Sequence, residues 1–135
     1  MTAPLYRAWR FLHPDFDIAG GEPGLQVSRT GGIEMVAEHA SVRQAILLLL
    51  TTTPGERLMR PDYGCDLHRL VFAPNDDTTA GLAIHYVRRA IERWEPRCEV
   101  KDVKFFVGSQ ILDQGLEDFR AYVNNEVRIQ IELLI

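Results

Sequence analysis

The chain has 135 residues, 15 Lys and Arg against 19 Asp and Glu for a formal charge of −4, and is 46% hydrophobic and 25% charged. That is the make-up of an ordinary globular domain, and a chain this long buries roughly two thirds of its unfolded surface, enough for a core without metal or disulfide staples. A pI near 5.5 argues against bulk binding to nucleic-acid phosphate, and the longest apolar run, the six residues Ala45–Leu50, is far short of the roughly 20 that a membrane-spanning helix needs.

The first 24 residues mix aromatics (Tyr6, Trp9, Phe11, Phe16) with breakers (Pro4, Pro14, Gly20, Gly21, Pro23, Gly24), which reads as an extended N-terminal arm over 1–24. Arg7, Arg10, Asp15 and Asp17 interrupt any apolar leader, so Sec export is not expected. Leu25 and Val27, then Ile33 and Met35, alternate around Gly31-Gly32, a short hairpin. Ser41 and Gln44 fit a capping box before Val42, Ile46, Leu49 and Leu50 at helical spacing, and Pro54-Gly55 stops that helix.

Between Arg60 and Asn75 the breakers Pro61, Gly64 and Pro74 surround an apolar patch of Leu67, Leu70, Val71 and Phe72, predicting a loop with one helical turn. Asp76-Asp77-Thr78-Thr79 opens a second helix that runs to about Trp94. Ala83, Val87, Ala90, Ile91 and Trp94 share its packing face, and His85, Arg88, Arg89, Glu92 and Arg93 its wet face. Glu95-Pro96 ends it. Val103, Phe105 and Val107 alternate as a strand, and Val127, Ile129, Ile131 and Leu133 alternate with Arg128, Gln130 and Glu132, the strongest strand signal in the chain. Leu116 to Val123 fits a helical turn and a strand equally, and Asn124-Asn125 fits a C-cap or a turn. The expected fold is a small single α+β domain, with two main helices on a short antiparallel or mixed sheet and the C-terminal strand at an edge.

Chemistry is thinly signalled. Cys65, Asp66 and His68 lie within one turn, but zinc takes four ligands in paired spacing and no second pair follows. Cys65 and Cys98, 33 positions apart, suit a reducing interior. Glu34, Glu38, Glu56, Asp62 and Asp66 could furnish a glycosidase pair, yet 19 acids supply such pairs by chance. Gly20-Gly21 and Gly31-Gly32 match no phosphate cradle. No catalytic residue, metal or cofactor is expected. Two turn segments stand out instead: Pro54-Gly55-Glu56-Arg57 after the first helix and Glu95-Pro96-Arg97 after the second, each placing a guanidinium beside a carboxylate where a helix ends.

The run Thr51-Thr52-Thr53-Pro54-Gly55-Glu56-Arg57-Leu58-Met59-Arg60-Pro61-Asp62-Tyr63-Gly64, then Leu70-Val71-Phe72, then Ala90-Ile91-Glu92-Arg93-Trp94-Glu95-Pro96-Arg97, resembles the GPW-type baseplate wedge family of contractile phage tails, type VI secretion baseplates and phage-tail-like injection particles. The resemblance covers about residues 25–135, which would form the wedge domain behind the arm. It implies a structural protein made in the cytoplasm and built into a tail-like particle. Typically six copies would sit around the axis, contacting other wedge proteins, the sheath protein, and the central hub, spike and tube. It also implies that Glu95, Pro96 and Arg97 grip the wedge's helical bundle, with Glu56 and Arg57 as structural neighbours. The terminal strand, with Val127, Ile129, Ile131 and Leu133, would be the template for the first sheath ring, because a strand at a sheet edge offers unpaired amides and carbonyls to a partner strand. A peptidoglycan hydrolase and a stand-alone protein-binding regulator of the same fold are the alternatives.

Overall fold

The computed structural model describes residues 5–14, 17, 20–74, 76–107, 117–119 and 127–134, with 105–107 and the last two segments described through their backbone. Two compact units divide the chain, Met1–Ala45 and Ile46–Ile135. The predicted turn at Asn124-Asn125 lies outside the described residues.

In the first unit the arm is built into sheets. Strand β1 (Arg7–Trp9) and strand β2 (Phe11–Leu12) pair antiparallel with β4 (Met35–Ala37) and β3 (Gly24–Leu25), setting Trp9 opposite Met35 and Phe11 opposite Leu25. Arg10 joins the pairings: its N–H donates to Glu34 O (2.8 Å), its carbonyl accepts from Gln26 N (3.1 Å), and its guanidinium pairs with the Glu34 carboxylate at 3.1 Å. The predicted hairpin is present but narrow. Val27 bridges Ile33, and Gly31, at φ +83°, supplies the left-handed turn residue. Its flanks leave each other because the arm offers longer pairings to both.

Helix α1 (Glu38–Thr51) starts three residues before the predicted cap. The Glu38 carboxylate accepts from Leu5 N (2.6 Å), and the Glu38 N–H donates to Tyr6 O (2.9 Å), so the arm fixes the helix entry. The capping box therefore does not form. Ser41 lies inside the helix, buried, while Gln44 turns to the arm, donating to Trp9 O (2.8 Å) and accepting from Phe11 N (2.9 Å). Sheet amides needing partners outrank a local cap.

In the second unit, α1 ends where the Thr51 and Thr52 hydroxyls donate back to the carbonyls of Leu47 and Leu48, satisfying acceptors that helix ends leave open. Helix α2 (Asp77–Trp94) starts at the predicted cap, Asp76, whose carboxylate accepts from Thr79 N (2.8 Å). It buries Ala83, Val87, Ala90 and Ile91 as the periodicity requires. Each side chain as large as Ile46, Leu49 or Ile91, all almost fully buried, contributes roughly 1.5–3 kcal/mol. A 3-10 turn, Asp66–Leu70, buries Leu67 and Leu70; Phe72, expected in the same patch, is instead 98% exposed.

Strands β5 (Glu99–Val107), β6 (Glu117–Phe119) and β7 (Val127–Leu134) form an antiparallel sheet in the order β5-β7-β6. The C-terminal strand is thus central, not at the edge. β5 pairs along it from Glu99 opposite Leu134 to Val107 opposite Val127, and β6 flanks its other side at Ile129–Ile131. Val127, Ile129, Ile131 and Leu133 accordingly belong to an inner strand, and among the described residues the sheet's outer strands are β5 and β6. Alternation identifies which face of a strand is buried but says nothing about its flanks, so the sequence pattern could not distinguish the two placements. Within the ambiguous stretch from Leu116 to Val123, Glu117–Phe119 is strand.

Candidate protein-binding corner

The loop after α1 is closed at its base. Cys65 N donates to Thr52 O (2.9 Å), Glu56 N to Thr53 O (3.1 Å), and the Glu56 carboxylate returns to accept from Thr53 N (2.9 Å). Gly64, at φ +139°, is required at this closure, since a Cβ there would lie 2.5 Å from Thr52 O. Arg57 places its guanidinium 4.5 Å above the Tyr63 ring, and Tyr63 meets Trp94 edge-on with centroids 5.3 Å apart. Arg93 stacks over Trp94 at 5.0 Å and pairs with Asp62 at 2.8 Å. A continuous ladder therefore runs Arg57, Tyr63, Trp94, Arg93, Asp62, joining the loop to the end of α2.

Glu95 follows directly. Its N–H closes α2 on Ile91 O (2.8 Å), and its side chain, 7% exposed, receives both Nε and Nη2 of Arg97 in a bidentate pair, the latter at 2.7 Å. Such a fork offsets the cost of burying the carboxylate, and removing the arginine would leave that charge uncompensated. Burial raises the Tyr63 pKa, Arg57 pulls it back, and the Glu95 charge adds to the rise. Burial likewise pushes the Cys98 thiol up to about 11, with Glu95 reinforcing the shift.

The two turn segments singled out from sequence thus converge, although not through each other's charges. Arg57 stacks on an aromatic ring, and Glu95 pairs with Arg97 within its own turn. Glu56, Arg57 and Pro96 are exposed, whereas Glu95 is buried and Arg97 half-buried. Sequence reasoning did not select Asp62, Tyr63, Arg93 or Trp94 as the connectors. The available signal was the position of Asp62-Tyr63 within the first motif and of Arg93-Trp94 immediately before the second. Of the pair Cys65 and His68, the thiol is buried, with burial pushing it up to about 11, and the imidazole is exposed.

Residues 36–134 match the baseplate wedge protein gp25 family, a span that contains both turn segments and the whole described β5-β7-β6 sheet. The chain belongs to this family. The gp25 baseplate wedge protein of Enterobacteria phage T4 is 30% identical over 73 residues, 54% of this chain and 51% of the phage protein, so the match spans about half of that relative. The fold of this wedge-family chain is similar to a chain of the anti-feeding prophage baseplate, with a TM-score of 0.68, 24% identity, and coverage of 94% of this chain and 84% of the other. It is also similar to a chain of the post-contracted pyocin R2 baseplate, with a TM-score of 0.57, 25% identity, and coverage of 82% and 96%. No described helix is long and apolar enough to cross a membrane.

Proposed function

We propose that this chain is a non-enzymatic structural subunit of the baseplate of a contractile phage tail or injection particle, made in the cytoplasm and incorporated during assembly. The observation carrying this reading is family membership across both turn segments, together with the closed corner in which those segments meet. In this reading the Glu95-Pro96-Arg97 turn is gripped by the other wedge subunits, with Glu56 and Arg57 bracing it, and the chain links the wedge to the hub, spike and tube. The similar anti-feeding prophage baseplate is six-fold symmetrised, which supports six copies around the axis.

The first sheath ring is templated by strand addition to the terminal sheet. With β7 inside, Val127, Ile129, Ile131 and Leu133 hold the sheet together, and the partner strand adds at an outer edge. β5 offers nine residues and β6 three. Lys101, Asp102 and Lys104, with an irregularity in register between Val100 and Asp102, guard the first part of β5 against indiscriminate pairing.

The grip is tested with two variants. Arg97→Ala removes the fork, and Pro96→Glu alters the exposed member without touching a buried group. Both are expected to cut particle yield in the producing strain by at least tenfold, with the melting temperature of Pro96→Glu unchanged. Normal particle yield from Pro96→Glu and Arg97→Ala would remove the role assigned to this turn.

A further inference from the structure

The loop between α1 and the 3-10 turn presents two large apolar side chains to solvent, Leu58 at 91% and Met59 at 95% exposure. Single exposed apolar residues are common, but these two are consecutive and sit on a braced loop. Residues 52 and 65 are hydrogen-bonded at its base, Gly64 is in close contact with Thr52 and Pro54, and Arg57 is stacked on Tyr63 across its interior. Compact loops closed in this way serve function often. The tip itself turns through two further backbone bonds, Arg60 N to Arg57 O (3.2 Å) and Tyr63 N to Arg60 O (3.1 Å). Met59 holds φ +64°, a left-handed conformation uncommon outside glycine. The loop closure thus holds the backbone beneath the pair, so that the ordering left for docking falls mainly on the two side chains.

The charges around the tip identify the partner's chemistry. The loop's two carboxylates are both engaged away from the tip, Glu56 by its bond from Thr53 N and Asp62 by its pair with Arg93 at 2.8 Å. The flanking cations are Arg57, exposed although stacked on Tyr63, and Arg60, which is exposed and makes no ion pair or hydrogen bond through its side chain among the described residues. An apolar knob between two arginines fits an apolar pocket with a carboxylate rim.

We propose that Leu58 and Met59 form a docking knob that inserts into an acid-rimmed apolar pocket on a different protein subunit. This is a contact separate from the Glu95-Pro96-Arg97 turn. It stands on exposure, loop closure and charge, and does not require the grip assigned to that turn.

The test places a photo-crosslinking amino acid at position 59 of the full chain, expressed from its own locus, with the same probe at the equally exposed Phe72 as control. Crosslinked peptides are sequenced after irradiation of intact producing cells. The expected result is one dominant adduct from position 59, to an apolar residue of one other protein with Asp or Glu beside it, and at least tenfold weaker capture of that peptide from position 72. Leu58→Ser with Met59→Gly should lower association with that protein at least tenfold, and Arg60→Glu should do the same. The glycine accepts φ +64°, so the melting temperature should not fall. Adducts scattered over unrelated peptides, adducts to lipid or to a second copy of this chain, no adduct, or undiminished association in the double variant would each overturn the proposal. Whether the captured protein co-purifies with a tail-like particle bears separately on the baseplate reading.

Discussion

Ser41 is a consequence of the arm's intrusion into α1. Its hydroxyl is buried, and it is the one fully buried side-chain polar atom without a hydrogen-bond partner among the described residues. A buried unpaired hydroxyl costs free energy, and alanine is the better helix former. Ser41→Ala is therefore expected to stabilise the protein by about 1 kcal/mol, read as a higher denaturant midpoint at unchanged slope. A lower midpoint would show that the hydroxyl has a partner in solution. Glu95 is the opposite case, a buried carboxylate whose two oxygens are both engaged by Arg97. The pair lies two positions apart in sequence, so its existence was readable there; its burial was not, because that depends on the packing around the end of α2.

Helix α2 was fully legible in sequence because its determinants are local: the cap at Asp76, apolar residues recurring every three to four positions, and the stop at Glu95-Pro96. Its cap has a pH signature. Hydrogen bonds from Thr79 hold the Asp76 carboxyl below its ordinary value of 3.8. A depressed folded-state pKa means that the stabilisation is full above the unfolded value and disappears as pH falls through the lower, folded one. Asp76→Ala should therefore melt below the parent at pH 7, and the gap should narrow as pH drops below 3.8; thermal scans across that range check it, and a gap independent of pH would contradict it. The start of α1 was misread for the complementary reason. Leu5, Tyr6, Trp9 and Phe11, more than 30 positions away, set it through hydrogen bonds to Glu38 and Gln44, and no local pattern encodes contacts of that range. β7 is intermediate: its alternation revealed a strand, but the order β5-β7-β6 depends on pairings made elsewhere.

For the whole chain, the features that were legible are the motifs that carry family membership, and the feature that was not is how they act together. The two turn segments are joined by Tyr63 and Trp94, and β7, expected at an edge, is the inner strand of the described sheet, so the proposed strand addition would fall to β5 or β6. Leu58 and Met59 add a third surface that an isolated chain leaves wet. Turn, sheet edge and knob are the three surfaces proposed for assembly. The most direct measurement is a cryo-EM reconstruction of the particle from the producing strain. Six copies of this chain are expected in the baseplate, each with Pro96 and Arg97 against another wedge protein and a foreign strand hydrogen-bonded along β5 or β6. A particle that lacks the chain, or one in which that turn faces solvent and both sheet edges stay unpaired, would contradict the assignment.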